Sequence, residues 1–329
     1  MPLPAYANNG PVDCSIKPDT NVLKGRSVVI TGGANGFGEA FTRAFAAAGA
    51  FVTFGDIDVK KGESLAAELG SNVRFVRCDI TSWDDQLALF KKAVTESPAK
   101  SCDIVIANAG ITGPDPVFTL EGMSGPLPRV PQPHPLTIVS DPTTEPTKPE
   151  LRILQVNMIG SFYTLKLGQH YLRFAPESAQ SDRCFIFMGS IAGILDQPGS
   201  FQYSASKFGL RGLMRSARRT LWQQDIRINY IAPWYTKTTI LKPQVIATLI
   251  SKGVEFAEIE DCTTAALRIT CDRSINGRSF GIIPRSIVSE GYTDINLDDY
   301  DEGTLWQNLQ SIALAASIRT MPAAKQNAH

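Results

Sequence analysis

Short apolar runs alternate with stretches of helical apolar spacing from Ser27 to about residue 290. The runs are SVVIT (27–31), FVTF (51–54), VRFVRC (73–78), IVIAN (104–108), CFIFM (184–188), IRINYIA (226–232) and RSFGIIP (278–284). Such alternation is typical of βαβ units, which place their strands in one parallel sheet. Because the runs are almost wholly apolar, helices should cover both faces of that sheet. The sequence therefore predicts an α/β fold with a doubly wound parallel sheet of about seven strands.

The length of 329 residues allows one large domain or two small ones. We predict a single α/β domain over residues 25–289, with an N-terminal arm (1–24) and a C-terminal arm (290–329). Residues 112–149 are rich in proline, which interrupts helices and central strands, so we expect an insertion that leaves the sheet. A substrate loop is predicted at 234–256.

Charge and composition argue against several classes of function. Lys plus Arg and Asp plus Glu both number 32, so no net field draws the chain to nucleic acid or to an anionic membrane. No apolar run reaches the roughly 18 residues of a membrane span, and the N-terminus has no signal-peptide pattern. The three histidines lie far apart, which argues against a metal site, and the six cysteines form no Cys-x-x-Cys pair. We expect a cytoplasmic protein with a small-molecule partner.

A glycine-rich turn joins the first apolar run to the first helical stretch. Gly32, Gly36 and Gly38 in GGANGFG let the backbone turn sharply and approach a pyrophosphate at the N-terminus of the helix. This is the arrangement by which Rossmann-type sheets bind dinucleotides. The spacing does not match G-x-G-x-x-G, so a tight connection without a ligand stays open as the alternative.

The end of the second apolar run bears on the choice of dinucleotide. Asp56 in FVTFGDID stands where a carboxylate accepts hydrogen bonds from the adenosine ribose and repels a 2′-phosphate. Asn35 occupies the loop position where a basic residue would favour NADP. NAD(H) is therefore favoured, and NADP(H) is not excluded. The alternative role of Asp56, with Asp58, is that of a helix N-cap.

These features resemble the short-chain dehydrogenase/reductase family. TGGANGFG (31–38) is similar to the family's T-G-x-x-x-G-x-G loop, CDIT (78–81) to its adenine contact and NAG (108–110) to the motif after its fourth strand. LQVNMIG, FMGSIAG and YSASK follow in the order of the family's catalytic tetrad. The tetrad residues implied by the resemblance are Asn157, Ser190, Tyr203 and Lys207.

The resemblance implies NAD(P) as the cofactor, with contacts from the glycine-rich loop, the ends of later strands and the tetrad. The implied contacts are Gly32, Asn35, Gly36, Phe37, Gly38, Asp56, Asp79, Ile80, Asn108, Ala109, Gly110, Tyr203, Lys207, Pro233, Trp234, Thr236 and Thr238. The chain departs from the family at one motif, because Pro233-Trp234 replaces the usual Pro-Gly. Trp234 then either walls the nicotinamide pocket or packs as a core tryptophan.

The tetrad implies a proton-transfer unit. A tyrosine with an ordinary pKa of about 10 is a poor base at neutral pH, and Lys207, four residues after Tyr203 on one helix, is expected to lower that pKa. Ser190 is expected to bind the substrate oxygen, and Asn157 to hold a water that links the lysine to solvent. Seen singly, each residue also fits an ordinary structural role.

The substrate side of an open α/β sheet lies beyond the carboxyl ends of its strands. The loops there are mostly apolar, and our candidate substrate contacts are Ile111, Leu195, Asp196, Phe201, Trp234 and Tyr235. Asp196, beside Pro198-Gly199, is also typical of a turn. The substrate is therefore expected to be bulky, hydrophobic and polycyclic.

The predicted activity is an NAD(P)-dependent interconversion of a secondary alcohol and a ketone, or the reduction of an imine. APWYTKT and SINGRSFGIIPRS are similar to segments of fungal secondary-metabolism members of the family, such as the hydroxyaverantin dehydrogenases. One alternative stays open, redox-neutral cyclisation or iminium chemistry in alkaloid biosynthesis. A non-catalytic cofactor sensor is disfavoured, because such a module has no need of the whole tetrad. The resemblance also implies a homodimer or homotetramer formed through the helices near 150–172 and 203–223.

Overall fold

The carboxyl ends of the parallel strands meet at one edge of a single sheet. The computed structural model describes residues 2–118, 143, 145–174 and 182–317, so most of the predicted insertion lies outside the described residues. Within them the strand order is β3-β2-β1-β4-β5-β6-β7-β8, with β1 to β7 parallel. The strands are β1 (Ser27–Thr31), β2 (Phe51–Asp56), β3 (Val73–Arg77), β4 (Ile104–Ala107), β5 (Arg183–Met188), β6 (Ile226–Pro233), β7 (Ser279–Ile282) and β8 (Tyr292–Asp294). The predicted Rossmann-type sheet is confirmed.

Helices cover both faces of the sheet. The helices in the described part of the chain are α1 (Gly36–Ala47), α2 (Val59–Leu69), α3 (Trp83–Glu96), α4 (Arg152–Leu154), α5 (Gly160–Tyr171), α6 (Phe201–Ala217), α7 (Pro243–Ser251), α8 (Ile259–Cys271) and α9 (Leu305–Ala315). A π-helical turn, Gln155–Ile159, joins α4 to α5. Among the helices of the described residues, none has the length and apolar composition of a transmembrane span.

Two hydrophobic clusters fix the helices to the sheet. One face of the sheet packs against α1, α2 and α8, and the other against α3, α5 and α6. Helix α3 shows how the sequence brings this about: Ser82 accepts a hydrogen bond from the Asp85 N–H at its start, and Leu89, Phe90 and Ala93 are fully buried. That spacing forms one apolar stripe on a helix.

Strand β8 is an element beyond the seven predicted ones. It pairs antiparallel with β7 and lies in the segment predicted as a C-terminal arm. The Asp294 carboxylate accepts a hydrogen bond from Arg278 Nε at 2.7 Å. Near the N-terminus, the guanidinium carbon of Arg218 lies 4.1 Å from the centroid of the Tyr6 ring. The Tyr6 hydroxyl donates a hydrogen bond to the Asp299 carboxylate. Both terminal segments therefore contact the sheet domain.

The order in which successive strands are added to the sheet reverses between β1 and β4. The chain runs from β1 to β3 on one side, and from β4 to β7 on the other. Such a switch point leaves a crevice beyond the carboxyl ends of the strands, which is where ligands of open α/β sheets bind. The predicted glycine loop and the residues that follow β4, β5 and β6 all leave the sheet at this edge.

Candidate active site

At Gly32 and Gly38, the glycine-rich loop leaves no room for a side chain. Gly32 has φ +66°, and a Cβ added there would lie 2.8 Å from Ala109 Cα. A Cβ at Gly38 would lie 1.8 Å from the Gly32 carbonyl oxygen. Asn35, the N-cap residue of α1, forms no side-chain cap bond. The bare backbone and the helix N-terminus therefore fit a bound pyrophosphate. Phe37 instead stacks on Phe41 at 6.5 Å and joins the core.

The NAG motif joins the end of β4 to the end of β1. The Asn108 amide donates to the carbonyl oxygens of Thr31 and Gly32, at 3.0 and 2.9 Å. The Thr31 hydroxyl accepts hydrogen bonds from the N–H groups of Asn108 and Ala109. Gly110 lies beside the tetrad, since a Cβ there would be 3.6 Å from Lys207 Nζ. These contacts fix the glycine loop at the switch point.

Asp56 is the last residue of β2, and its carboxylate is held by backbone donors. It accepts hydrogen bonds from the N–H groups of Ala34 at 2.9 Å and Asp58 at 3.0 Å. Asp58, not Asp56, caps α2, because its side chain accepts from the Lys61 N–H. The structure also brings the Lys61 ammonium onto the Asn35 side chain. The sequence gives no sign of this cation, because Lys61 lies in α2, 26 residues beyond Asn35 along the chain.

Asp79 and Ile80 follow β3 on the side predicted for adenine. Asp79 is half-buried, and its carboxylate accepts hydrogen bonds from both the N–H and the hydroxyl of Thr81, which lower its pKa. Ile80 is buried, and a Cβ at Gly160 would lie 2.8 Å from its Cγ1. The two residues therefore form a fixed corner between β3 and α5.

The loop after β6 lies opposite the glycine loop. A Cβ at Gly36 would lie 3.5 Å from the Thr238 side chain. Pro233 ends β6, and the buried Thr236 donates from its hydroxyl to the Trp234 carbonyl oxygen at 3.1 Å. The Trp234 indole N–H donates to the Glu255 carbonyl oxygen at 3.0 Å, and its ring packs on the hydrophobic core. These contacts favour a role for Trp234 as a packed core residue and not as a wall of the nicotinamide pocket.

Asn157 lies in the π-helical turn, which aims its amide across the site. Its Oδ1 accepts from the Ile111 N–H at 2.8 Å, and its Nδ2 donates to the Ile111 carbonyl oxygen at 3.0 Å. Nδ2 also lies 3.1 Å from the Ser206 hydroxyl. Because a π turn adds one residue to the helix, it redirects a side chain that a regular helix would place elsewhere.

Ser190 follows β5, and its backbone is held by Tyr230, a residue that was not predicted from the sequence. The buried Tyr230 hydroxyl accepts from the Ser190 N–H at 3.2 Å and donates to the Lys207 carbonyl oxygen at 3.1 Å. A Cβ at Gly189 or Gly193 would overlap the Tyr230 ring or hydroxyl. The glycines near Ser190, Gly189 and Gly193, indicate a close contact in the sequence, but they do not identify Tyr230 as the residue that makes it.

Tyr203 and Lys207 lie one helical turn apart on α6, as predicted. Lys207 Nζ is 5.5 Å from the Tyr203 ring centroid and donates to the Met188 carbonyl oxygen at 2.9 Å. Burial raises the pKa of Tyr203, and a hydrogen bond with Ser190 partly offsets it. Burial also lowers the pKa of Lys207 to about 8. The pKa of Tyr203 in the chain by itself is therefore raised and not lowered as predicted, because burial of the phenol is the largest effect on that pKa.

A sequence model of the family described as short chain dehydrogenase matches residues 26–124 and 140–247. The chain belongs to the short-chain dehydrogenase family. It is an NAD(P)-dependent oxidoreductase of that family. The predicted family resemblance is confirmed.

Individual relatives of this short-chain dehydrogenase span nearly its whole length. It is 36% identical to a 5'-hydroxyaverantin dehydrogenase of Dothistroma septosporum, over 89% of this chain and 95% of that protein. It is 30% identical to an NADP-dependent dehydrogenase of a Phoma species, over 85% and 81%. The crystal structure of a 3-ketoacyl-(acyl-carrier-protein) reductase of Brucella melitensis, complexed with NADH, shares the fold with a TM-score of 0.61 at 21% identity. It covers 79% of this chain and 97% of its own.

The predicted substrate residues of this short-chain dehydrogenase divide between two places. Tyr235 lies close enough to Tyr203 to raise its pKa, and its hydroxyl donates to Gln197 Oε1 at 3.3 Å. Ile111 is held by Asn157. Asp196 and Phe201 instead line a shallow groove with Ser204 and Phe208. Leu195 is 48% exposed. Of the predicted contacts, the structure brings Tyr235 and Ile111 to the tetrad.

A metal site was not expected from the sequence. In the part of the chain that the structure describes, no group of three or more His, Cys, Asp or Glu side chains is arranged to hold a metal ion.

Proposed function

We propose that this short-chain dehydrogenase interconverts a secondary alcohol and a ketone, or reduces an imine, with Tyr203 as the general acid and base. The observation that carries the proposal is the convergence of Tyr203, Ser190 and Lys207 at the carboxyl edge of the sheet, beside the glycine loop. A bound nicotinamide accepts or supplies the hydride. The residues of the chain orient the substrate and move the proton.

Each tetrad residue has one part in this chemistry. The Ser190 hydroxyl lies close enough to the Tyr203 phenol to lower its pKa, so a substrate oxygen held between them would face a donor on each side. The Lys207 ammonium, held by the Met188 carbonyl oxygen, offers positive charge beside the phenol. A tyrosinate that forms during alcohol oxidation is stabilised by this charge. Asn157, through Ile111 and Ser206, fixes the wall of the site next to Lys207.

We further propose NAD(H) as the preferred cofactor, because the Asp56 carboxylate is fixed at the end of β2, where it would repel a 2′-phosphate. Lys61 on Asn35 opposes this preference with a positive charge. Fluorescence titration of the protein with NADH and with NADPH tests it. Tighter binding of NADPH would contradict the proposal.

The substrate is proposed to be a bulky, hydrophobic and polycyclic alcohol or ketone of secondary metabolism. Two observations support this class. Ile111, through its backbone, and Tyr235, through its ring, both lie at the tetrad, and both residues carry large apolar or aromatic side chains. The relative at 36% identity is named for its action on 5'-hydroxyaverantin. Burial of apolar area against such residues contributes more free energy for a large apolar substrate than for a small one.

The test of the activity is a spectrophotometric assay of NADH formation from NAD and a panel of polycyclic secondary alcohols. We expect Tyr203→Phe to lower kcat by about 100-fold or more, because general acid and base catalysis contributes about 100- to 10,000-fold. NADH binding should stay within about twofold. Tyr300→Phe, a change at a half-exposed tyrosine beside Arg215, is the matched control and should keep full activity.

Two results would contradict the activity proposal. Full turnover in Tyr203→Phe would remove the proposed role of the phenol. Formation of a product without consumption of nicotinamide would favour the redox-neutral cyclisation that the sequence left open.

We also propose that the chain forms a homodimer or homotetramer through α5 and α6. The outer faces of this pair carry exposed large apolar side chains, Phe162 on α5 and Phe208 on α6, while their inner faces are buried on the sheet. Large apolar side chains exposed on these two helices support association with a second copy of the chain, because exposed apolar patches mark interaction sites.

A further inference from the structure

The helix that carries Tyr203 begins without a cap of its own. Ser200 is the N-cap residue of α6, and its side chain forms no cap hydrogen bond. Asp115, from the loop after β4, supplies the missing acceptor: its Oδ2 accepts from the Gln202 N–H at 2.6 Å. A carboxylate at a helix N-terminus satisfies a free N–H and interacts favourably with the helix dipole. The start of α6 therefore depends on a residue from another part of the chain.

The Gln202 side chain adds a second set of bonds at the same place. It is 3% exposed, and its Nε2 donates to Asp115 Oδ1 at 3.2 Å and to the Glu150 carbonyl oxygen at 2.9 Å. Asp115 is thus bonded to both the backbone and the side chain of Gln202. The amide orientation is determined, since a flipped amide would turn its oxygen toward two acceptors.

Asp115 lies near the start of the proline-rich insertion (112–149), and Glu150 directly follows its end. Gln202 therefore holds both ends of residues 116–149 at one point, directly before Tyr203. The same two stretches of chain are joined a second time by the Asn157 amide, which bonds to the N–H and the carbonyl oxygen of Ile111. Two amide side chains, one beside Tyr203 and one in the tetrad, thus close the base of the insertion.

We propose that Asp115 and Gln202 are positioning residues, which set the place of the Tyr203 phenol by fixing the first turn of α6 to both ends of the insertion. Lys207, one turn later, has its own anchor in the Met188 carbonyl oxygen. Loss of the bonds between Asp115, Gln202 and Glu150 therefore frees the Tyr203 end of the pair but not the Lys207 end. The distance between the phenol and the ammonium then varies, and alignment for proton transfer is lost. This inference rests on the proposed role of Tyr203.

The test uses two substitutions in the full chain, Asp115→Asn and Gln202→Met. Asp115→Asn keeps the shape but brings an NH₂ group near the Gln202 donors. Gln202→Met keeps the volume but removes both side-chain donors. Glu145→Gln, an exposed charge within the same stretch of chain, is the matched control. We measure amide hydrogen exchange, NADH affinity, kcat, KM and the pH dependence of kcat/KM.

We expect faster hydrogen exchange in residues 201–207 and 145–155 of both variants, and NADH affinity within about twofold of the unsubstituted protein. The kcat value should fall about tenfold, since small misplacements of reacting groups cost one to two orders of magnitude. The apparent pKa that Tyr203 contributes to the pH profile of kcat/KM should shift, because the distance between the Tyr203 phenol and the Lys207 ammonium changes.

Two results would overturn the proposal, and both are separable from failure of the proposed activity. Unchanged exchange in residues 201–207 of both variants would show that the bonds do not hold the first turn. A lower melting temperature with unchanged kcat and pH profile would show a merely structural role. If the unsubstituted protein turns over no alcohol, the proposed activity and the positioning role both fail, while faster exchange in residues 201–207 would still show that Asp115 and Gln202 hold the first turn of α6. If Tyr203→Phe is inactive while both variants match the control, the positioning role falls and the activity stands.

Discussion

Lys207 shows how a single residue can be costly to the fold and suited to the chemistry. Its ammonium is buried, and it donates a hydrogen bond to the Met188 carbonyl oxygen. Burial therefore disfavours the charged form, and the pKa falls from 10.5 to about 8. The folded state thus releases this proton at lower pH than the unfolded chain does.

This shift predicts a pH dependence of stability. Below about pH 8 the buried charge imposes its full penalty on the folded state, and the penalty is relieved as the pH rises from about 8 to about 10.5. Between pH 7 and pH 9.5 the unsubstituted protein should gain about 2 kcal/mol in the free energy of unfolding relative to Lys207→Met. Urea unfolding of both proteins at the two pH values measures this difference.

The control for this prediction is Lys166→Met, which removes an exposed lysine of α5. Its free energy of unfolding should follow that of the unsubstituted protein at both pH values. An equal pH dependence in Lys207→Met and in the unsubstituted protein would mean that the Lys207 pKa is not lowered.

At the scale of residues, the sequence revealed the positions of the tetrad but not what surrounds them. Tyr203 and Lys207 share one helix, so their proximity follows from helical geometry. The contacts of Tyr230 and of Gln202 join residues that lie 23 to 87 positions apart. No periodicity encodes such contacts, because they depend on how whole elements pack. The direction of the Tyr203 pKa shift was missed for the same reason, since burial is a tertiary property.

At the scale of elements, the glycine loop combines local and tertiary constraints. The sequence indicated a sharp turn, but the reason for glycine at position 38 is tertiary: the first turn of α1 lies directly against the Gly32 carbonyl oxygen and the Asn108 amide. The π-helical turn at Gln155–Ile159 is a second case. The sequence predicted a continuous helix near 150–172, and nothing in the apolar spacing indicates the extra residue that redirects Asn157.

Gly38→Ala tests the role of the loop. Its Cβ would meet the Gly32 oxygen at 1.8 Å, so the loop must move away from its position at the end of β1. We expect a loss of about 1–3 kcal/mol in the free energy of unfolding and at least a tenfold loss of NADH affinity. Urea unfolding and fluorescence titration measure the two effects.

Gly212→Ala is the matched control within a helix. A Cβ at Gly212, in the middle of α6, meets nothing within 4 Å. This variant should gain about 0.5–1 kcal/mol in stability and keep its NADH affinity, because alanine favours the helix. If Gly38→Ala bound NADH as tightly as Gly212→Ala does, the loop would not be the pyrophosphate site.

At the scale of the whole molecule, the parallel sheet followed from the sequence because buried strands read as continuous apolar runs. All seven predicted runs became strands, in the order of a doubly wound sheet. The eighth strand was not predicted, because Tyr292–Asp294 is only three residues long and includes the polar Thr293 and Asp294. Its position depends instead on pairing with β7 and on the ion pair between Arg278 and Asp294. Its antiparallel direction ends the series of βαβ units at that edge of the sheet.

The faces of the molecule also differ in how completely they are covered. The pair α5 and α6 buries its inner face against β4 to β6, yet leaves Phe162 at 42% and Phe208 at 43% exposed on the outer side. A stable interface buries about 800 Å² on each partner, and its centre tolerates no unpaired charge. A second copy of the chain packed on these helices would remove both rings from water.

The proposed assembly predicts the behaviour of charged variants. Analytical ultracentrifugation of the unsubstituted protein at micromolar concentration should give a dimer or tetramer, and Phe162→Glu with Phe208→Glu should give a monomer, because two buried carboxylates cost several kcal/mol at such an interface. Leu309→Glu, a change at a 45% exposed position on α9, should leave the assembly unchanged. A monomeric unsubstituted protein would contradict the prediction outright. An intact assembly in the double variant would move the interface away from α5 and α6, because a face that accepts two carboxylates without dissociating is not buried in the assembly.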